Sequence, residues 1–275
     1  MIQGTLMRMT IHMVSARDYW PITEAIRPAR RAWWLAAARR MAVERDVVAA
    51  ARRARVLLAD GPRRRQDLTK ELGVDATTWN GVGNWLDLVR VPPSGTWDRR
   101  SADLYGLAEE WLGPSEATED QGVELLVRRY LGGFGPASRG DIANWAGLSP
   151  ASITPALERM KLRRFRDRDG GELVDLPRAP LPDPATFAPV RFLPTWDATL
   201  LVHARRTQIL PERFRPRIFN TKTPHSQPTF LVDGQVAGTW RVERGRISVR
   251  SFERLPRETE RELDEEAERL VAFHA

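Results

Sequence analysis

Residues 61–90 read GPRRRQDLTKELGVDATTWNGVGNWLDLVR, and residues 135–164 read GPASRGDIANWAGLSPASITPALERMKLRR. At an offset of 74 positions, Gly61-Pro62 matches Gly135-Pro136, Asp67-Leu68 matches Asp141-Ile142, and Leu72-Gly73 matches Ala146-Gly147. Leu88 and Arg90 match Leu162 and Arg164 in the same way. A glycine directly behind a short helix supplies the left-handed backbone that the corner between two crossing helices needs. Each copy is therefore predicted to be a helix-turn-helix, closed by a two-stranded wing. In such units the helix after the corner enters the DNA major groove. A duplicated unit points to an elongated nucleic-acid-binding surface rather than to an enzyme pocket.

Periodicity extends the reading outward. Apolar side chains at Val47, Ala50, Ala51, Ala54, Leu57 and Leu58 predict a helix over 46–58, after another over 32–40. The first copy then carries helices over 65–72 and 76–88 and wing strands over 88–91 and 96–99, joined by the turn Pro92-Pro93-Ser94-Gly95. Gly81 and Gly83 interrupt the second of these helices, which suggests close packing there or close approach of DNA. A helix over 104–112 leads to the second copy, with helices over 122–131, 138–145 and 150–160 and strands over 163–166 and 172–176. Prolines 177, 180, 182, 184 and 189 mark an extended linker. Strands follow over 190–193, 199–202, 229–232, 235–241 and 247–252, with a hairpin signal at Asp233-Gly234 and a last amphipathic helix over 257–273.

The N-terminus reads differently. Met7, Met9, Ile11 and Met13 alternate with Arg8, Thr10 and His12, so residues 1–14 are predicted to form one strand, followed by a helix beginning near Tyr19-Trp20-Pro21. A lone strand needs a partner for its backbone hydrogen bonds. It is therefore read as the second strand of a wing whose helices precede Met1.

Composition excludes several classes. The chain has 275 residues, 42% of them hydrophobic, which suits two or three compact domains and not a disordered polymer. It has no cysteine, hence no disulfide, thiolate metal site or cysteine nucleophile. No apolar run approaches the roughly 20 residues that cross a bilayer, and residues 1–5 have no signal-peptide shape, so a cytoplasmic protein is expected. The net charge of +7 understates the positive excess, because the last 20 or so residues are acidic. Arginines cluster at Arg27/Arg30/Arg31, Arg63-Arg64-Arg65, Arg99-Arg100, Arg163-Arg164 and Arg205-Arg206, as phosphate binding would use. Only Lys70, Lys161 and Lys222 are lysines, so arginine is also this chain's default cation.

Contacts to DNA are predicted from the recognition helices, at Thr77, Thr78 and Asn80 in the first copy and at Ser149, Ser152 and Thr154 in the second, with Ser138 and Arg139 ahead of it. Ser149 or Ser152 would equally serve as a helix N-cap. The basic wing combines Ser94, Thr96, Trp97, Arg99 and Arg100, a small turn with an aromatic and two cations; Trp97 would otherwise pack on its own core. Arg63, Arg64, Arg65, Arg163 and Arg164 complete the set. The four histidines have no metal-ligand spacing, and no phosphate-cradling or dinucleotide glycine motif is present, so neither a metal nor a cofactor is expected. Asp197, in Pro194-Thr195-Trp196-Asp197, and His12 are weak catalytic candidates; a turn cap and a hydrogen-bonded strand residue are the plainer readings.

The run 6–14, LMRMTIHMV, followed by Ser15-Ala16-Arg17-Asp18-Tyr19, resembles a signature of one bacterial winged-helix family. The resemblance continues through Phe134-Gly135-Pro136-Ala137-Ser138 with Asp141 and Trp145, through residues 188–197 (APVRFLPTWD), and through residues 231–240 (LVDGQVAGTW). That family includes DNA glycosylases that unhook interstrand crosslinks and excise bulky alkylated purines. The resemblance implies tandem winged helices forming a concave basic face, followed by a small β-rich region. Met9 stands where the family signature resembles a glycine. Glycosylase members carry a Gln-x-Gln or Gln-x-Asp pair upstream of the Arg/Thr/His strand, and Gln3 has no such neighbour, so the chain reads as N-terminally truncated.

The expected architecture is α+β. A remnant of a first unit spans 1–45, winged helices span 46–113 and 114–178, and a β-rich region with a terminal helix spans 179–275. The expected function is binding of duplex DNA, including alkylated or crosslinked DNA, by a monomer related to DNA-repair glycosylases. Base excision would depend on an upstream segment. The alternative is a transcriptional regulator or interaction module built on winged helices.

Overall fold

Residues 1–14 do not form one strand. In the computed structural model, which describes all residues except 41–45, 97, 98, 100, 202–206, 220–225, 244 and 275, strands β1 (Ile2–Thr5) and β2 (Ile11–Val14) are antiparallel partners. Ile2 lies opposite Val14 and Thr5 opposite Ile11. A 3₁₀ turn over Met7–Met9 joins them, with Arg8 and Met9 at φ 52° and 60°. Two successive non-glycine residues in the left-handed region cost about 1–2 kcal/mol each. Burial of Leu6 and Met7 offsets that cost. The alternation that suggested one strand is identical in two short ones, and no Gly, Pro, Asn or Asp announces the turn. β1 also pairs with β4 (Leu88–Arg90), Gly4 opposite Val89, so the predicted orphan strand has partners within the chain.

Helix α1 (Ala16–Arg40) runs unbroken through Pro21 and Pro28, joining the two helical stretches predicted separately. α2 (Val47–Leu58) is capped by Asp46, whose carboxylate accepts from Ala49 N–H at 2.8 Å. β3 (Arg63–Arg64), α3 (Arg65–Leu72) and α4 (Ala76–Val82) follow, with the corner at Gly73 in the left-handed conformation, φ 66°. α4 stops at Gly83 rather than continuing to residue 88. Its Gly81 lies under the Trp34 indole, where a Cβ would come within 2.5 Å of the ring. The strand returning to β4 is β5 (Leu104–Leu107), residues 97 and 98 of the predicted 96–99 strand lie outside the described residues, and only α5 (Ala108–Leu112) of the predicted 104–112 helix is helical. One sheet results, ordered β2-β1-β4-β5-β3.

The second copy repeats this pattern. α6 (Glu119–Phe134) begins with a reciprocal cap between Thr118 and Gln121. α7 (Arg139–Ala146) ends at Gly147, φ 72°, and α8 (Pro150–Arg159) precedes the antiparallel pair β6 (Arg163–Arg166) and β7 (Glu172–Asp175). α1 serves both copies. Its Ile22, Ala25 and Ile26 join the core under α6, α7 and α8, while Trp34 and Ala38 join the core of α2, α3 and α4.

The chain divides into two compact units, Met1–Ala179 and Pro180–Ala275. In the second, β8 (Arg191–Leu193), β9 (Thr229–Val232), β10 (Gln235–Glu243) and β11 (Arg246–Ser251) form one sheet in the order β11-β10-β9-β8. Asp233 and Gly234, at φ 47° and 71°, make the tight turn between β9 and β10. Residues 199–201 of the predicted strand over 199–202 instead belong to a helix, α9 (Ala198–Leu201), and residue 202 lies outside the described residues. α10 (Arg215–Ile218) and α11 (Arg257–His274) complete the unit. The class is α+β, with every strand pair among the described residues antiparallel.

Candidate nucleic-acid interface

The residues predicted to meet DNA fall into two groups once their partners are known. Several hydroxyls are committed to the fold. Ser138 and Ser149 cap α7 and α8, accepting from the N–H groups of Asp141 and Ser152 at 3.1 Å each. Ser94 is buried and holds the wing, donating to Ser101 O at 2.6 Å and accepting from Asp103 N–H at 2.7 Å. Thr78 is buried. Thr154 donates to Pro150 O and accepts from Arg139, and Thr96 donates to Pro93 O. The Ser152 hydroxyl shares a hydrogen bond of 2.8 Å with that of Ser149 and stays exposed. Thr77 and Asn80 lie three residues apart on one face of α4, without side-chain partners among the described residues.

The cations sort in the same way. Arg63 pairs with Glu71 at 2.7 Å, Arg64 with Asp103 at 3.1 Å, and Arg164 with Glu172. Arg163 reaches Ala179 O and lies over the Phe165 ring. Arg65 and Arg99 have no side-chain partner among the described residues, and Arg139 has only the Thr154 hydroxyl. Trp97 and Arg100 lie outside the described residues, as do Arg205 and Arg206. Exposed ion pairs contribute little to stability, about 0–1 kcal/mol each, but they lower the charge the surface can offer to phosphate.

The cluster Arg27/Arg30/Arg31 is structural. Arg27 Nη1 donates to both Asp87 carboxylate oxygens at 3.0 Å, while Nε and Nη2 bind Glu24 at 3.0 and 2.8 Å. Burial opposes the Arg27 charge, yet these two carboxylates outweigh it and raise its pKa. Arg31 donates to Asn84 O at 2.9 Å and stacks over Trp85. Through these bonds Arg27 and Arg31 tie α1 to the chain between α4 and β4. Sequence offers no sign of this, since Asp87 and Asn84 lie more than 50 residues away.

Arg8 was not singled out by the sequence. It donates to Trp145 O, and its backbone seats against Gly147, where a Cβ would come within 3.0 Å of the Arg8 nitrogen. The N-terminal turn is thereby fixed to the corner of the second repeat. His12 is half-buried, its Nδ1–H donating to Thr10 O at 3.0 Å. Burial lowers its pKa below 6.5, the Thr10 hydrogen bond opposes this, and Arg8 adds to it. In the second unit, Asp197 accepts from Thr199 N–H at 2.8 Å at the start of α9.

The corner glycines, the shared helix order and the antiparallel pair after each corner describe one structural unit present twice. The family profile described as DNA glycosylase AlkZ-like matches residues 1–273. The chain belongs to this family. Its fold is similar to a solved structure, Streptomyces sahachiroi DNA glycosylase AlkZ, with a TM-score of 0.78 over 98% of this chain and 79% of that one. Identity is 19%, so that likeness shows the fold alone. No curated protein matches the chain. Among the described residues of this AlkZ-like chain no helix is long and apolar enough to cross a membrane, and no group of three or more His, Asp and Glu is placed to hold a metal ion.

Proposed function

We propose that this AlkZ-like protein is a DNA-repair protein that binds duplex DNA through tandem winged helices, with alkylated or crosslinked DNA as its target. The supporting observation is the matched pair of corners at Gly73 and Gly147, each presenting a second helix, α4 or α8, followed by two strands. That order of helix, corner, helix and wing recurs in groove-reading proteins. Thr77, Asn80, Arg65 and Arg99 of the first unit and Ser152 and Arg139 of the second are the phosphate and groove contacts in this reading. The contacts are mostly to phosphate, so binding is largely independent of sequence and falls steeply with salt.

The test is a salt titration of affinity for undamaged, N7-alkylated and crosslinked duplexes of one sequence. Binding of all three, tighter for the modified ones, supports the reading; affinity unchanged by salt overturns it. Formation of abasic sites in the modified duplexes measures base excision on the same samples. Base release that is lost in Asp197→Asn or His12→Ala would place chemistry at one of those residues.

A further inference from the structure

A cavity of about 380 Å³ opens between α1, α4 and the first sheet. That size lies within the roughly 300–1,000 Å³ of small-ligand sites. Trp33, Trp34, Trp79 and Tyr105 supply its aromatic walls, and Arg30, Arg90 and Asp87 its charges. Trp34 and Trp79 are buried and braced edge-on by Trp85 and Tyr105. Trp33 is 57% exposed. Thr77 and Asn80 also line the cavity, so it opens on the face of α4 assigned to DNA above.

Arg30 decides what the cavity can hold. Burial lowers its pKa, and no carboxylate touches it, because Asp87 is engaged by Arg27. Nε donates to Asn84 Oδ1 and Met9 Sδ, Nη1 to Thr5 O and Nη2 to Gly83 O. A guanidinium has five N–H groups, which leaves one on each terminal nitrogen without a partner among the described residues. A purely hydrocarbon ligand would bury those donors unpaired, at a cost. A cationic ligand would meet the like charges of Arg30 and Arg90, and the Asp87 carboxylate is already held by Arg27. Flat walls and a fixed donor edge suit a flat, neutral ligand with an acceptor edge.

We infer that this cavity takes a neutral planar heteroaromatic ring, packed among the tryptophans and accepting a hydrogen bond from Arg30. Resting on the DNA-binding reading, the ring is a base unstacked from the bound duplex beside α4. Packing on aromatic side chains offsets the loss of stacking in such sites. A free nucleobase has the same chemistry and is the other source.

The probes are free 2-aminopurine nucleoside and a duplex carrying one 2-aminopurine opposite an abasic-site analogue, against a fully paired duplex. Ala37→Phe fills the cavity from α1 without removing a hydrogen bond, and Trp33→Ala removes an exposed wall. The unpaired duplex should bind about tenfold more tightly than the paired one, with its emission quenched by tryptophan. Both variants should lose that preference and the quenching while binding paired duplex as before. Preference and quenching that survive in folded Ala37→Phe and Trp33→Ala overturn the inference. Quenching of the free nucleoside alone, abolished by Ala37→Phe, keeps the cavity as a ring site and assigns the free source. Failure of the wild-type protein to bind paired duplex sinks the DNA-binding reading, while that nucleoside signal still judges the cavity.

Discussion

The carbonyl oxygen of Pro21 lies where a Cβ on Gly122 would have to be, so α1 and α6 cross backbone against backbone at that point. The bare Cα of Gly122 meets the Pro21 carbonyl and the Ala25 Cβ here, in the core that ties α1 to the second repeat. Gly122→Ala should therefore destabilise the protein by about 1–3 kcal/mol through overpacking, although alanine is the better helix former. Gly133→Ala on the same helix meets nothing within 4 Å and should gain up to about 1 kcal/mol. Urea denaturation of the two variants checks the contrast; equal effects would remove the crossing from the account.

Arg27→Ala and the double variant Arg65→Ala/Arg99→Ala should behave in opposite ways. Losing the hydrogen bonds of Arg27 to Asp87 and Glu24 should lower stability by about 2 kcal/mol and leave the salt slope of DNA binding unchanged. The double variant should keep its stability and flatten that slope by up to about two units. A slope change in Arg27→Ala would return α1 to the interface.

Stability should depend on pH through His12. The folded state holds the imidazole neutral and the unfolded chain protonates it near the ordinary histidine value of 6.5. A folded pKa below the unfolded one means that the unfolded state binds more protons between the two. This contribution is complete above about pH 6.5 and is lost as pH falls from there towards the folded pKa. NMR titration of the His12 ring should show its midpoint below that of free histidine, and His12→Asn should flatten this part of the stability curve. A midpoint above the free value would contradict it.

Ser149→Ala should cost about 1 kcal/mol, the usual loss for a helix N-cap. DNA affinity should change little, because the Ser149 hydroxyl is engaged with the Ser152 N–H. Thermal melts and a binding isotherm on one preparation separate the two effects; a loss of affinity at unchanged melting temperature would make Ser149 a DNA contact.

The repeat at 61–90 and 135–164 was legible because its signals are local. A left-handed corner needs glycine whatever surrounds it, and Gly73 and Gly147 adopt φ 66° and 72°. Asp233-Gly234 and the final helix were legible for the same reason. The strand over 1–14, the helix over 104–112 and the strand over 199–202 were misread, because alternation and short apolar runs do not say where a chain folds back or which element a burial serves. The site was less legible still. An arginine run carries the same letters whether its partners are phosphates or Asp87 and Glu24, and a serine before a helix looks the same as cap or contact. Sequence by itself determined the duplicated corners, the turn glycines and the family signature, since backbone sterics act over a few residues. Only the tertiary structure decided which cations stay free, how α1 joins both cores, and that Arg30 lines a cavity, since charge pairing and burial depend on residues far away in the chain.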